Sequence, residues 1–415
     1  MTSMNLNYRK VKESYLFADI RRRIEEWQKE NPGKKVLRLG IGDVSQPLTP
    51  SVIRALHEAV EEQAHAETFH GYMPECGDPA LRKAIADWYR KRNIPVNPEE
   101  VFVSSGASDE LGDLLHLFER SLPAMIPEPA YPAYADANLM DGREIIFPGT
   151  DIENGFQPLV PEEYLTALIY LCSPDNPTGA VCTKECLEKW IAYAIRTESV
   201  ILFDAAYESF VCEENIPRSI YELEGAKKCA IEISSLSKTA GFTGTRCGYT
   251  VIPMDLVRGG LSLNAMWVRN RTTRTNGVSY ILQKGALAVF SEVGQKEVSL
   301  LHEVYRRNAK TFMQALDEAH IAYAGGKNSP YIWMKCPSGY DSWETFDILL
   351  KQAQIAATPG AGFGESGEDW IRFSMFAREE DVEEAGRRIV RLKNEKIFLK
   401  KIIDNLYRIL YYNHC

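Results

Sequence analysis

The chain has 415 residues, 45% apolar and 25% charged, with 57 acidic against 48 basic side chains and a net charge of −9. That length suits about two globular domains, and the negative balance argues against general affinity for nucleic acid or anionic membrane. No apolar run reaches the roughly 18–20 residues that cross a bilayer, segment 1–12 is too polar for a secretory signal, and nine cysteines without framework spacing suit a reducing compartment. The expectation is a cytoplasmic protein without a metal site, since Cys182 and Cys186 lack a second pair or a histidine cluster.

Periodicity predicts a helix over 51–64, with Val52, Leu56, Ala59 and Val60 on its apolar face, and another over 79–92 with Leu81, Ile85 and Trp88 inward. Short apolar runs follow at 101–103, 124–126, 168–172, 200–203 and 230–233. They do not alternate with polar residues, as strands buried on both faces do not, and helical stretches separate them. A mostly parallel sheet covered by helices is therefore predicted. Farther on, 289–316 reads as long charged helix, 330–335 and 370–376 as strands, and 380–393 as a closing helix. The expected α/β organisation is a large domain at 48–285, a smaller α+β domain at 286–396, and an arm at 1–47 that partly joins the smaller domain. Residues 397–415 form an extension with an amphipathic helical pattern.

Ligands of such sheets bind beyond the carboxyl ends of the strands. After the first run comes Ser104-Ser105-Gly106-Ala107-Ser108-Asp109. Small residues there let backbone N–H groups approach a phosphate, and they serve equally as a plain turn and helix cap. Pro127-Glu128-Pro129-Ala130-Tyr131-Pro132-Ala133-Tyr134 stiffens a loop with two tyrosines, either a flat platform for a planar ligand or simple packing. Ser173-Pro174-Asp175-Asn176-Pro177-Thr178-Gly179 holds an asparagine between two prolines, and its amide can donate to a ring oxygen. Asp204 ends a buried strand and needs a cationic or donating partner, for which a protonated pyridine nitrogen would serve. Ser235-Leu236-Ser237-Lys238 with Arg246 eight residues on suits an imine-forming amine beside a phosphate site.

SPDNPTG, Asp204-x-x-Tyr207 and Ser235-x-Ser237-Lys238 with Arg246 resemble the pyridoxal-phosphate aminotransferases of the large, aspartate-aminotransferase-like fold (fold type I), over about residues 14–393. More narrowly, Tyr15-Leu16-Phe17, LRLGIGDVSQPL, GFTGTRCGYTVIP, Asn276-Gly277-Val278-Ser279-Tyr280 and TPGAGFG resemble the LL-diaminopimelate aminotransferase family. The resemblance implies a homodimer that uses pyridoxal 5′-phosphate to move an amino group between LL-2,6-diaminopimelate, or its cyclised keto form tetrahydrodipicolinate, and 2-oxoglutarate or glutamate. Lys238 would make the covalent link to the cofactor and then carry the proton. Asp204 would keep the pyridine nitrogen protonated, Asn176 and Tyr207 would donate to the ring oxygen, and Tyr131 would stack on the ring. Gly106, Ala107, Ser108, Ser235 and Arg246 would hold the phosphate, with Tyr72 arriving from the second subunit. Arg372 would grip the substrate α-carboxylate. Tyr15, Gly42, Glu75, Asn176 and Asn276 complete the implied substrate contacts, with Glu75 facing the distal ammonium.

The resemblance is imperfect near the substrate. Ser108 stands where the narrower family usually has lysine, and Met73 and Cys76 replace a small and a polar residue of its Gly-Tyr-Gly-x-Glu-Gln-Gly stretch. An aminotransferase or β-eliminating lyase acting on another amino acid is the alternative. A ligand-binding regulator of the same fold is a remote one, disfavoured because Lys238, Asp204 and Arg372 are all retained.

Overall fold

Five of the apolar runs become strands of one seven-stranded sheet in the computed structural model, which describes residues 3–11 and 16–394. In chain order its strands are β1 (Val101–Ser104), β2 (Ala124–Met125), β3 (Ile145–Ile146), β4 (Leu168–Cys172), β5 (Val200–Asp204), β6 (Ala230–Ser235) and β7 (Gly248–Val251). Their spatial order is β1-β7-β6-β5-β4-β2-β3. Six strands run parallel, while β7 lies antiparallel between β1 and β6.

Side chains alternate across a strand even when all are apolar. In β5, Ile201 and Phe203 enter one apolar layer and Val200 and Leu202 the opposite one; in β4, Ile169 and Leu171 part from Leu168 and Tyr170 in the same way. The sheet is thus buried on both faces. The helix predicted at 51–64 spans Pro50–Glu62, and Val60, expected on its apolar face, is exposed. At 100° per residue Val60 lies about 80° from Val52, beyond the stripe that Val52 and Ala59 define. The helix Pro79–Arg90 starts on an Asp78 cap, which accepts from the Ala80 and Leu81 N–H groups. It buries Tyr89, where Trp88 was expected, because the Tyr89 hydroxyl reaches the buried Glu232 carboxylate.

The long helix expected at 289–316 forms without a break but starts three residues later, after a separate shorter helix. Tyr280–Val289 ends first, and Glu292–Glu318 starts on Ser291, whose hydroxyl accepts from the Gly294 N–H. A second, four-stranded sheet contains β8 (Tyr323–Gly325), β9 (Tyr331–Lys335), β10 (Thr358–Pro359) and β11 (Trp370–Ser374), in the order β8-β9-β11-β10. Ile20, Ile24 and Trp27 of the helix Leu16–Glu30 share an apolar cluster with Ile332 and Met334 of β9, Ile371 and Phe373 of β11, and the closing helix Glu379–Asn394. Residues 397–415 lie outside the described residues. Among the described residues no helix is long and apolar enough to cross a membrane, and the eight cysteines are all free.

Candidate active site

Parallel strands deliver their carboxyl ends to one edge, and β7 delivers its amino end to the same edge because it runs the other way. Gly248 pairs with Ser104 on one side and Ser235 on the other. Arg246 is therefore carried to the turn after β1 and the short helix Leu236–Thr239 after β6. A Cβ on Gly248 would meet the Ser234 carbonyl at 2.8 Å and the Gly106 Cα at 3.0 Å, so only glycine permits this approach. Arg246 itself has φ +63°, a conformation that costs a non-glycine residue about 1 kcal/mol or more.

A cavity of about 480 Å³ opens at this edge. Gly42, Ala107, Ser108, Tyr131, Asn176, Asp204, Tyr207, Ser235, Lys238, Arg246 and Arg372 all line it. Gly106 stands just behind, capping the helix Ala107–Leu114, and a Cβ there would fall 2.4 Å from Arg246 Nη2. Ser235 uses its hydroxyl to cap the short helix, accepting from the Ser237 N–H at 3.1 Å. Arg246 donates to Ser237 Oγ at 3.2 Å and approaches Asp109 at 3.7 Å.

Lys238 donates to the Gly42 carbonyl. Burial lowers its amine to about 8, and Arg372 and Arg246 push the same way against the opposing pull of Asp43. A large fraction is then a neutral nucleophile at mildly alkaline pH. Asp204 is 6% exposed. Its Oδ2 accepts from the Tyr134 hydroxyl at 2.6 Å and its Oδ1 from the Ala206 N–H at 2.9 Å. Burial raises its carboxyl above the usual range despite these donors. Among the described residues no cation pairs with it.

Arg372 is 1% exposed. Its Nη1 donates to Asn176 Oδ1 at 2.6 Å, and its Nη2 donates to the Gly40 carbonyl at 2.6 Å and toward Thr358 Oγ1 at 3.4 Å. Nε is buried without a partner. All these partners are neutral, so a buried cation faces the cavity with no counterion among the described residues. Tyr331 and Phe363 pack their rings 4.6 and 4.9 Å from its guanidinium carbon. Arginine only donates, so Asn176 must turn its oxygen to Arg372, which leaves the Asn176 NH2 for another acceptor. The Tyr207 and Tyr331 hydroxyls meet at 2.8 Å, and burial raises both phenols above their usual range.

Three sequence-predicted residues do not join this cavity within one chain. Tyr72 is 87% exposed, Asn276 is exposed, and Glu75 is half-buried with its carbonyl accepting from Arg271 Nε at 3.3 Å. Tyr15 lies outside the described residues. Conversely, sequence reasoning gave no role to Tyr134, Tyr331 or Asp43. Tyr134 was visible only as one of two loop tyrosines, and Tyr331 sits in no recognisable motif.

Comparison with known proteins agrees with this arrangement. The family model described as aminotransferase class I and II matches residues 34–389. The chain is 45% identical over 402 residues to an LL-diaminopimelate aminotransferase of Lachnospira eligens, covering 94% of this chain and 99% of that protein. It is 44% identical, with the same coverage, to one of Agathobacter rectalis. A solved LL-diaminopimelate aminotransferase from Chlamydomonas reinhardtii superposes with a TM-score of 0.90 at 34% identity, over 94% of this chain and 99% of that one. Sheet order, strand-end residues and family match converge: the chain belongs to the class I and II aminotransferases.

Proposed function

We propose that this aminotransferase acts on LL-2,6-diaminopimelate, or in reverse on tetrahydrodipicolinate, with 2-oxoglutarate and glutamate as the other pair, and that it does so with pyridoxal 5′-phosphate as a cytoplasmic homodimer. The relatives that span almost the whole chain carry that name. The observation that carries the reading is Arg372, a buried cation with only neutral partners, opening on the same cavity as Lys238. A buried charge is tolerated when its ligand supplies the opposite one, and an amino acid's α-carboxylate is such a ligand.

The residues fit the cofactor at both ends. Asp204, buried without a cation, suits a protonated pyridine nitrogen. Gly106, where any Cβ would crowd the Arg246 guanidinium, leaves a cradle for a phosphate that Ala107, Ser108 and Ser235 complete. When bound, the cofactor supplies an electron sink conjugated to the substrate Cα. Asn176 and Tyr207 would donate to its ring oxygen, and Tyr131 would cover its face. Arg372 fixes the α-carboxylate, which sets the angle of the Cα–H bond. Lys238 Nζ, held near by the Gly42 carbonyl and lowered to about 8, takes that proton and returns it. Tyr72, Asn276 and Glu75 would act in the partner's cavity rather than their own.

Glu75 would pair with the distal ammonium that glutamate lacks. A partly shielded, charge-assisted contact of about 1.5–3 kcal/mol gives roughly a ten- to hundredfold preference. The test is kcat/KM of wild type and Glu75→Gln with LL-diaminopimelate and with glutamate. A loss confined to diaminopimelate supports the reading. Equal slowing of both, or a wild type inert toward diaminopimelate, defeats it and leaves an aminotransferase of other specificity, to which Ser108 and Cys76 would then point.

A further inference from the structure

Behind the helix Leu236–Thr239, away from the main cavity, lies a second cavity of about 200 Å³. Arg218, Arg306, Ser209, Ser234, Ser299 and His302 are among its lining side chains. Its charges do not balance. Glu208 also lines it, but that carboxylate is held by Arg92 at 3.2 Å. The Arg218 guanidinium spends one Nη2 bond on the Val211 carbonyl and forms no ion pair among the described residues; its backbone N–H, not its side chain, donates to the Glu222 carboxylate at 3.0 Å. Arg306 has neither a hydrogen bond nor an ion pair among them, and its Nε is buried without an acceptor.

His302 cannot neutralise the pair. It is 4% exposed, with Nε2 2.8 Å from the Thr239 carbonyl, so Nε2 carries the proton and donates. Burial first, and then the two neighbouring arginines, push it down to about 4, so it is an uncharged wall at neutral pH. Two guanidinium groups without counterions, with serine hydroxyls around them, form a chamber too small for a nucleotide and ample for one tetrahedral oxyanion.

We propose that this cavity binds a phosphate-like dianion between Arg218 and Arg306, a second anion site distinct from the catalytic one. Its source is either inorganic phosphate or the phosphate group of a small ester. Because the floor includes Leu236 and Thr239, flanking Lys238, the bound ion would sit behind the catalytic lysine rather than in front of it.

The test uses the cofactor-loaded enzyme, whose catalytic phosphate position is filled, titrated calorimetrically with inorganic phosphate and separately with glycerol phosphate. One saturable site per chain is expected, weakened at least tenfold in Arg306→Gln and in Arg218→Gln. Ser299→Asp should abolish it as well. Ser299 is exposed at the cavity and the change removes no arginine, so this variant decides the matter if an arginine variant does not fold. Activity without added phosphate should stay within twofold of wild type in all three. Tighter binding of the ester than of phosphate would assign the source to esters. Absence of saturable binding in wild type, or binding undiminished in Ser299→Asp, would overturn the proposal.

Discussion

Tyr134→Phe removes a single oxygen from the buried wall of the active site, and its effect can be worked out from Asp204. Among the described residues that carboxylate receives two side-chain-directed hydrogen bonds, one from the Tyr134 hydroxyl and one from the Ala206 N–H. A hydrogen bond to a charged group contributes about 1.5–3 kcal/mol, more than one to the neutral acid, so losing the first should raise the Asp204 pKa further. Burial already places that pKa above its value in the unfolded chain. Folding therefore favours the protonated acid: stability tied to Asp204 is fully present below the unfolded pKa and is lost as pH rises through the folded one. The substitution should deepen that loss. In cofactor-stripped protein, urea unfolding at pH 4 should show only the small cost of a neutral hydrogen bond, about 0.5–1.5 kcal/mol, whereas at pH 8 the cost should approach 1.5–3 kcal/mol. Equal destabilisation at the two pH values would show that the hydroxyl serves packing and not the charge of Asp204.

Other outcomes follow from the same geometry. Capture of pyridoxal phosphate by the stripped chain should accelerate with a midpoint near pH 8, where Lys238 becomes neutral, and a midpoint near 10.5 would mean an ordinary exposed lysine; borohydride reduction and peptide mapping should place the adduct on Lys238. Gly106→Ala should weaken cofactor binding by about tenfold or more, since its Cβ would lie 2.4 Å from Arg246 Nη2; unchanged affinity would remove Gly106 from the phosphate cradle. On the proposed homodimer, Tyr72→Ala and Lys238→Ala, each inactive alone, should recover part of wild-type activity when unfolded together and refolded, because a mixed dimer would hold one intact site. No recovery would place Tyr72 in the cavity of its own chain.

Residues that act from the end of their own strand were legible because chemistry and position are adjacent in the sequence. Asp204 ends β5, and Asn176 and Lys238 follow β4 and β6 within a few residues. Arg372 is a cation within a strand, Trp370-Ile371-Arg372-Phe373-Ser374, that is otherwise without charge. The rest depends on packing between distant segments. Tyr331 is an ordinary strand tyrosine until the turn at Gly42 and the Tyr207 hydroxyl arrive beside it. Tyr134 and Tyr131 are alike in a motif, and only the depth of Asp204 separates their roles. Trp88 and Tyr89 compete for one inward position, and a buried carboxylate on another element decides between them. The strand β7 was read only as motif, because Gly248-Tyr249-Thr250-Val251 is short and carries no sign of its direction.

That direction has a consequence for how the protein is made. During synthesis β1 emerges first of the seven strands, yet β7, the last to appear, is its one neighbour in the sheet. Until the ribosome has passed Val251, the first strand is an unpaired apolar ribbon, and β6 has β5 on one side and nothing on the other. An open strand edge is a template for pairing with another chain, and contacts between distant segments form slowly. The late strand closes both gaps in one insertion and carries Arg246 into place as it does so. Nascent chains stalled before Gly248 should accordingly be the form of this protein most dependent on chaperones.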